Sequence, residues 1–285
     1  MAKMTLCSLS VLLSAFALSD CCAALREPFP QGCGMGNLGT IISDKAPGCN
    51  GPMVSAAFTN NLYGSGFALW AVSLYDDMDN LESARLMSIC GGGWKTYGNL
   101  TLAAWLSDFN AFSIYRERSG LLSLAYGTII GVKAAIDLCG THISCAGQGA
   151  SRLTFVHSGV SLLVPLRSVV LGATLLNVPL KSSGVEGSDL PVSLRFTIRT
   201  RPHAFGSQGI LLEVTPRRYH PISVAIGQEL RFAGIMALYG AVSCNPLLVG
   251  TGVSFFIRDC GLCAALVNHP VLGWSRGIGA YYGWN

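Results

Sequence analysis

The chain has 285 residues, of which 51% are hydrophobic and only 12% charged, and its mean hydropathy is +0.46. Soluble domains carry about a quarter charged residues, so this composition excludes an ordinary water-facing surface and points to a membrane as the solvent. The formal charge of +4 is spread along the chain with no basic block, which excludes a nucleic-acid-binding face.

Residues 1–23 (MAKMTLCSLSVLLSAFALSDCCA) place Lys3 ahead of an apolar run from Leu6 to Leu18 and close on small residues at Ala23. This is the three-part layout of a cleaved signal peptide, and the run is too short to span a bilayer. Leu18-Ser19-Asp20-Cys21 offers a lipid-anchor alternative, but acidic Asp20 sits where such sites want a small residue. Residues 24–50 read as an N-terminal periplasmic or plug segment. Their Gly32-Cys33-Gly34-Met35-Gly36 run lacks the Lys-Ser/Thr of a phosphate loop and a preceding strand.

The most apolar internal stretch, Leu121 to Leu138, has the length of a membrane helix, but Lys133 and Asp137 interrupt it and Gly127 and Gly131 break it. No other segment after the signal supplies a clean apolar run. What recurs from residue 51 onward is a block of about ten residues with partial period-two patterning between turn residues, the signature of barrel strands. The blocks fall at 53–60, 65–75, 86–97, 100–108, 111–118, 120–128, 130–139, 151–164, 167–177, 190–201, 209–217, 222–232, 233–243, 248–258, 260–268 and 273–284. The fold class is therefore all-β: a transmembrane antiparallel β-barrel of about 14 strands, in a range of about 12 to 16 because some blocks merge or serve as a plug, occupying residues 51–285. Such barrels belong to the bacterial outer membrane, whose lipid is then the first partner.

Two blocks fix the faces. In Pro191 to Arg201, Val192, Leu194, Phe196 and Ile198 alternate with Ser193, Arg195, Thr197 and Arg199, so an apolar face meets lipid and a polar face turns inward. In the last block Trp274, Arg276, Ile278, Ala280, Tyr282 and Trp284 share one face, with Arg276 placed to reach the headgroups and aromatics gathered at the end.

Arg195, Thr197 and Arg199, with Glu229 and Arg231, are the lumen-lining candidates, able either to set the sign and width of a passage or to pair and fill it. Cys139 and Cys145 flank Gly140-Thr141-His142-Ile143-Ser144 and are expected to bridge a hairpin loop. Cys260-Gly261-Leu262-Cys263 has redox or zinc spacing, but residues three apart on a strand point to opposite faces, so packing is the reading. Asp76, Asp77, Asp79 and Glu82 read as a solvated acidic loop. The five histidines are scattered without a second ligand at metal spacing, and no nucleophile elbow is present. No metal, cofactor or catalytic residue is expected, and the chain is not read as an enzyme.

From about Asn110 to Asn285 the chain resembles the outer-membrane barrel group of PorV-type and FadL-type proteins. The resemblance is carried by Ile114-Tyr115-Arg116-Glu117 followed by Gly120-Leu121-Leu122-Ser123-Leu124-Ala125-Tyr126, then Leu171-Gly172-Ala173-Thr174-Leu175-Leu176-Asn177 and Leu190-Pro191-Val192-Ser193-Leu194-Arg195. Ile226-Gly227-Gln228-Glu229-Leu230-Arg231 and Asn268-His269-Pro270-Val271-Leu272-Gly273 complete it. Likeness to FadL-type proteins implies a passive channel or transporter for hydrophobic or small amphipathic solutes. Likeness to PorV-type proteins implies instead a non-transporting scaffold of a protein secretion system, with exported proteins as partners.

Overall fold

A computed structural model describes residues 55–57, 64–74, 86–111, 115–145, 152–183, 192–200, 206–214, 222–233, 235–244, 247–269 and 273–284. The expected signal peptide (1–23), the plug segment (24–50) and the acidic loop at 76–82 lie outside the described residues. Among those described are fourteen strands: β1 (Ser65–Leu74), β2 (Leu86–Tyr97), β3 (Leu100–Ala111), β4 (Tyr115–Gly127), β5 (Lys133–Cys145), β6 (Arg152–Pro165) and β7 (Val169–Ser183). β8 (Ser193–Thr200), β9 (Gly206–Val214), β10 (Ser223–Phe232), β11 (Met236–Cys244), β12 (Leu248–Ile257), β13 (Cys260–His269) and β14 (Gly273–Trp284) follow.

Each strand pairs antiparallel with its neighbours in sequence, and β14 returns to pair with β1, running Ser65 against Trp284 and Ser73 against Arg276. Closure leaves no open edge, so the backbone donors and acceptors of the wall are spent within it, as a span through hydrocarbon requires. No helix among the described residues is long and apolar enough to cross a membrane.

Two of the expected blocks, 111–118 and 120–128, are one strand, β4. Ser119-Gly120 has the composition of a turn, yet Gly120 stays in register opposite Leu106 and Gly140. The expected first block at 53–60 is not a strand where it is described. Ser55–Ala57 form a buried turn, and the barrel wall begins at Ser65. The β6–β7 ladder carries register shifts beside His157 and Ser158, and Asn177 on β7 takes a φ of 57°. A bulge accommodates such an extra residue at the cost of local pairing.

Every strand shows the two faces that period-two geometry demands. On the outside, Leu102, Leu124, Ile136, Val160 and Leu175 form one continuous row across β3 to β7, each opposite the next and each exposed. An apolar row of this length on a water-facing surface would be an aggregation site. On a membrane barrel it is the lipid contact. One rim of this band carries Phe67, Tyr97, Tyr126, Tyr282 and Trp284, all exposed, with Tyr282 and Trp284 stacked at 5.6 Å. That is the aromatic girdle of an interface.

The connections divide by end. Gly98-Asn99 joins β2 to β3 with Gly98 at a φ of 57°, the left-handed geometry a two-residue hairpin turn favours, and Arg258-Asp259 joins β12 to β13 equally tightly. The chain also enters β1 and leaves β14 at this end. Longer connections, 75–85, 184–192 and 215–222, all lie at the other end. In transmembrane barrels short turns face the periplasm and long loops the exterior, which orients the wall.

Candidate functional site

The inner face is the candidate site, and it is divided into two halves. Around β4 to β10 it is polar: Glu117, Ser119, Ser123, Lys133, Asp137, Thr141, His157, Ser161 and Thr174 are all buried there. On β8, Ser193, Arg195 and Thr197 are buried and Arg199 partly so, while Phe196 and Ile198 face out, as the alternation predicted. On β10, Glu229 is fully buried and its Oε1 accepts from the Nε of Arg231 two residues on, on the same face. All five lumen-lining candidates therefore lie on one inner wall, with β9 between the two groups.

Around β11 to β3 the inner face is aromatic and glycine-rich, and four of its large rings lie against a glycine directly across the ladder. Trp94 is opposite Gly66, Trp105 opposite Gly92, Trp70 opposite Gly279 and Tyr281 opposite Gly261. A methyl group built on any of these four glycines would overlap the facing ring. Glycine is required at these places for close approach, and the rings are laid flat along the wall rather than across the bore. Trp94 and Trp105 also stack on each other with centroids 6.5 Å apart. A wide barrel filled by upright side chains would be closed; flattened rings keep bulk out of its centre.

Sequence reasoning missed the group at the centre of the polar half. Ser123 on β4 stands opposite Asp137 on β5 and donates to its Oδ1, and Ser161 on β6 donates to Oδ2 at 2.9 Å. Into this group comes the turn that precedes the wall: the Ala56 backbone N–H donates to Ser123 Oγ at 2.7 Å, and Ser55 Oγ lies 3.4 Å from the same oxygen. Ala56 and Ala57 have no exposed surface. The turn at Ser55–Ala57, upstream of β1, thus lies buried against the inner face of β4, three strands along the wall from β1. The sequence did hold a signal. Lys133 and Asp137 are four apart, an even spacing that puts both on one face of a strand, along with Ala135 between them.

The expected loop-spanning disulfide is a correction. Residues 140–144 are not a loop but part of β5, so Cys139 and Cys145 sit six residues apart on one straight strand, about 20 Å at the usual rise. Cys139 is a buried thiol opposite Leu121 and His157. Cys260 and Cys263 point to opposite faces as expected, the first exposed and the second buried. Arg276 faces outward near the long-loop end. Among the described residues no group of histidine, cysteine and acidic side chains is placed to hold a metal.

A closed antiparallel barrel with a lipid-facing exterior and a two-sided polar and aromatic interior defines the class: a transmembrane β-barrel protein. The toluene transporter TodX of Pseudomonas putida has a similar fold, with a TM-score of 0.57 at 11% identity over 90% of this chain and 99% of TodX. A second TodX structure gives 0.56 at 11% identity over 87% and 97%. A mutant Rh. blastica porin superposes with a TM-score of 0.42 at 11% identity over 77% of this chain and 99% of the porin. No protein-family model matches the chain, and no curated protein matches it.

Proposed function

We propose that the chain is a bacterial outer-membrane barrel, exported through residues 1–23, that passes small hydrophobic or amphipathic solutes. The observation that carries this reading is the split interior. A solute with an apolar body and a polar end can slide its body along the flattened rings of Trp70, Trp94 and Trp105 while its polar end follows Arg195, Thr197 and Arg199. A channel for ions or water has no use for an aromatic half. The fold likeness to a protein described as a toluene transporter supports a solute of this kind.

The turn at Ser55–Ala57 marks where passage is controlled. It is buried against the inner face, where the Ala56 backbone N–H and the Ser55 hydroxyl are hydrogen-bonded to Ser123. Bonds of this kind contribute about 0.5–1.5 kcal/mol each, so loss of Ser123 should loosen the turn. Glu229 and Arg231 form a polar pair on β10, on the side of the interior that carries Arg195 and Arg199.

Uptake into vesicles tests this reading. The full-length protein reconstituted in lipid vesicles is expected to accelerate entry of a small aromatic hydrocarbon and of a short amphipathic acid over protein-free vesicles. A folded, inserted barrel that admits neither would overturn it. The scaffold reading is favoured by one feature, the turn between β4 and β5, where Ile129 is 100% exposed and Ile130 78% at the tip of a hairpin closed by Thr128 and Val132. Loss of a cross-linked protein partner on replacing both isoleucines by serine would support that second reading.

A further inference from the structure

The exterior carries a charged group that transport does not use. At the long-loop rim of the lipid-facing surface, one row runs Asp108, Arg118, His142 and Thr154 across β3 to β6, each opposite the next. Arg116 lies one step nearer the loops. Asp108 is the hub: Arg116 donates to it through Nε at 2.8 Å and through a second guanidinium nitrogen to the other oxygen, and Arg118 Nε stands 3.4 Å away. Both arginines remain about half exposed. His142 Nδ1 is bonded to Thr154 Oγ1 at 3.0 Å.

A guanidinium has five N–H donors, so one carboxylate leaves most of those on the two arginines pointing outward. The carboxylate also holds the two cations together, which lowers the ordering cost of receiving a second anion. Directly below this row, on the lipid side, lie Gly120 and Gly140, paired with each other. A methyl group on Gly140 would meet nothing within 4 Å. The wall is therefore indented immediately beneath the cations, openly at Gly140 and more shallowly at Gly120, where the Leu106 side chain comes within 3.4 Å of the Cβ position.

A cation pair at the rim above an indentation in an apolar wall matches a lipid that joins a phosphate to acyl chains. We propose that Arg116 and Arg118 bind a phosphate of a phosphorylated, multiply acylated glycolipid of the outer leaflet, one of whose chains lies over Gly120 and Gly140. The proposal rests on the outer-membrane location and on the orientation of the loops, and is independent of any solute. Charge complementarity selects the phosphate, and the position on the long-loop side selects the outer leaflet.

The test uses the full-length barrel in nanodiscs of phosphatidylethanolamine doped with phosphorylated glycolipid, its dephosphorylated form, or phosphatidylglycerol, with bound lipid read by native mass spectrometry. Saturable binding of the phosphorylated glycolipid is expected, weaker by at least about tenfold for Arg116→Gln/Arg118→Gln, the scale of one charge-assisted contact. Lys95→Gln, on the opposite rim beside Tyr97, is expected to bind as the parent does. Heat-modifiable migration identifies folded variants, and either single arginine variant serves if the double does not fold. Equal binding of the dephosphorylated lipid, equal binding of phosphatidylglycerol, or undiminished binding by folded arginine variants would each overturn the proposal. Cell fractionation tests the location separately: a barrel that binds the lipid in nanodiscs but is found outside the outer membrane would overturn the location alone.

Discussion

Replacing Leu122 by arginine measures whether lipid is the solvent of the outer face. Leu122 is exposed on β4, four residues from Arg118 at one rim and four from Tyr126 at the other. At about 3.3 Å per residue and a tilt of about 40°, each rim is roughly 10 Å away in depth, so Leu122 sits near the midplane. A midplane arginine on a barrel's lipid face costs about 2–4 kcal/mol, against about 0–1 at the interface. Leu122→Arg should therefore lower the folding constant about 30- to 1000-fold, while Tyr126→Arg should change it by less than about fivefold. Folding into lipid vesicles titrated with denaturant, followed by tryptophan fluorescence, reads both. On a water-facing sheet both substitutions would fall within about 0.5 kcal/mol of neutral. Equal, small effects at the two positions would refute a membrane-spanning wall.

Gly279→Ala should force the Trp70 ring off the wall, costing about 1–3 kcal/mol as overpacking does, and should quench or shift that indole's emission; an unchanged spectrum and stability would count against the flattened ring. Ser123→Ala removes the oxygen to which Ala56 and Ser55 are bonded, so residues 55–57 should become accessible to protease and solute uptake should rise severalfold. Asp137→Asn, which keeps the shape of the group but alters its acceptors, should act in the same direction and more weakly. Cys139→Ser/Cys145→Ser should leave non-reducing gel migration and thermal stability within about 0.5 kcal/mol of the parent, since a bridge between them would need residues 140–144 to leave the strand; a loss of 2 kcal/mol or more, the usual weight of a disulfide, would show that they pair.

The wall was legible in the sequence wherever the two faces differ sharply in chemistry. Val192 to Arg199 reads as one apolar and one charged face, and β8 follows it residue for residue. Legibility failed where glycine stood on the outer face. Ser119-Gly120 marked a break between two blocks because glycine favours turns, but the role of Gly120 in β4 is to pair with Gly140 inside a continuous ladder. The cysteine pair failed for the same reason: Gly140-Thr141 has a turn composition, and only the pairing with Gly120 and Ser119 reveals a strand. The polar cluster at Asp137 was half legible. Its residues come from β4, β5, β6 and the turn before β1, and the spacing on each strand gives a face but no partner.

The aromatic half was beyond reach of single-strand patterning, because its logic is a pairing between strands. Each tryptophan is separated in sequence from its glycine, Trp70 from Gly279 by nearly the whole barrel, and only closure of β1 on β14 brings them together. Register therefore does more here than set which face is wet. A slip of one residue would turn Trp70, Trp94 and Trp105 toward lipid, whereas a slip of two that set Trp70 against Tyr281, Trp94 against Ala68 or Trp105 against Cys90 would keep the ring inside but lift it into the bore. The glycines thus fix both the registry of the wall and the width of its interior. The Trp70–Gly279 contact lies at the closure of β1 on β14 itself, so a side chain at residue 279 would disturb the seam as well as the ring.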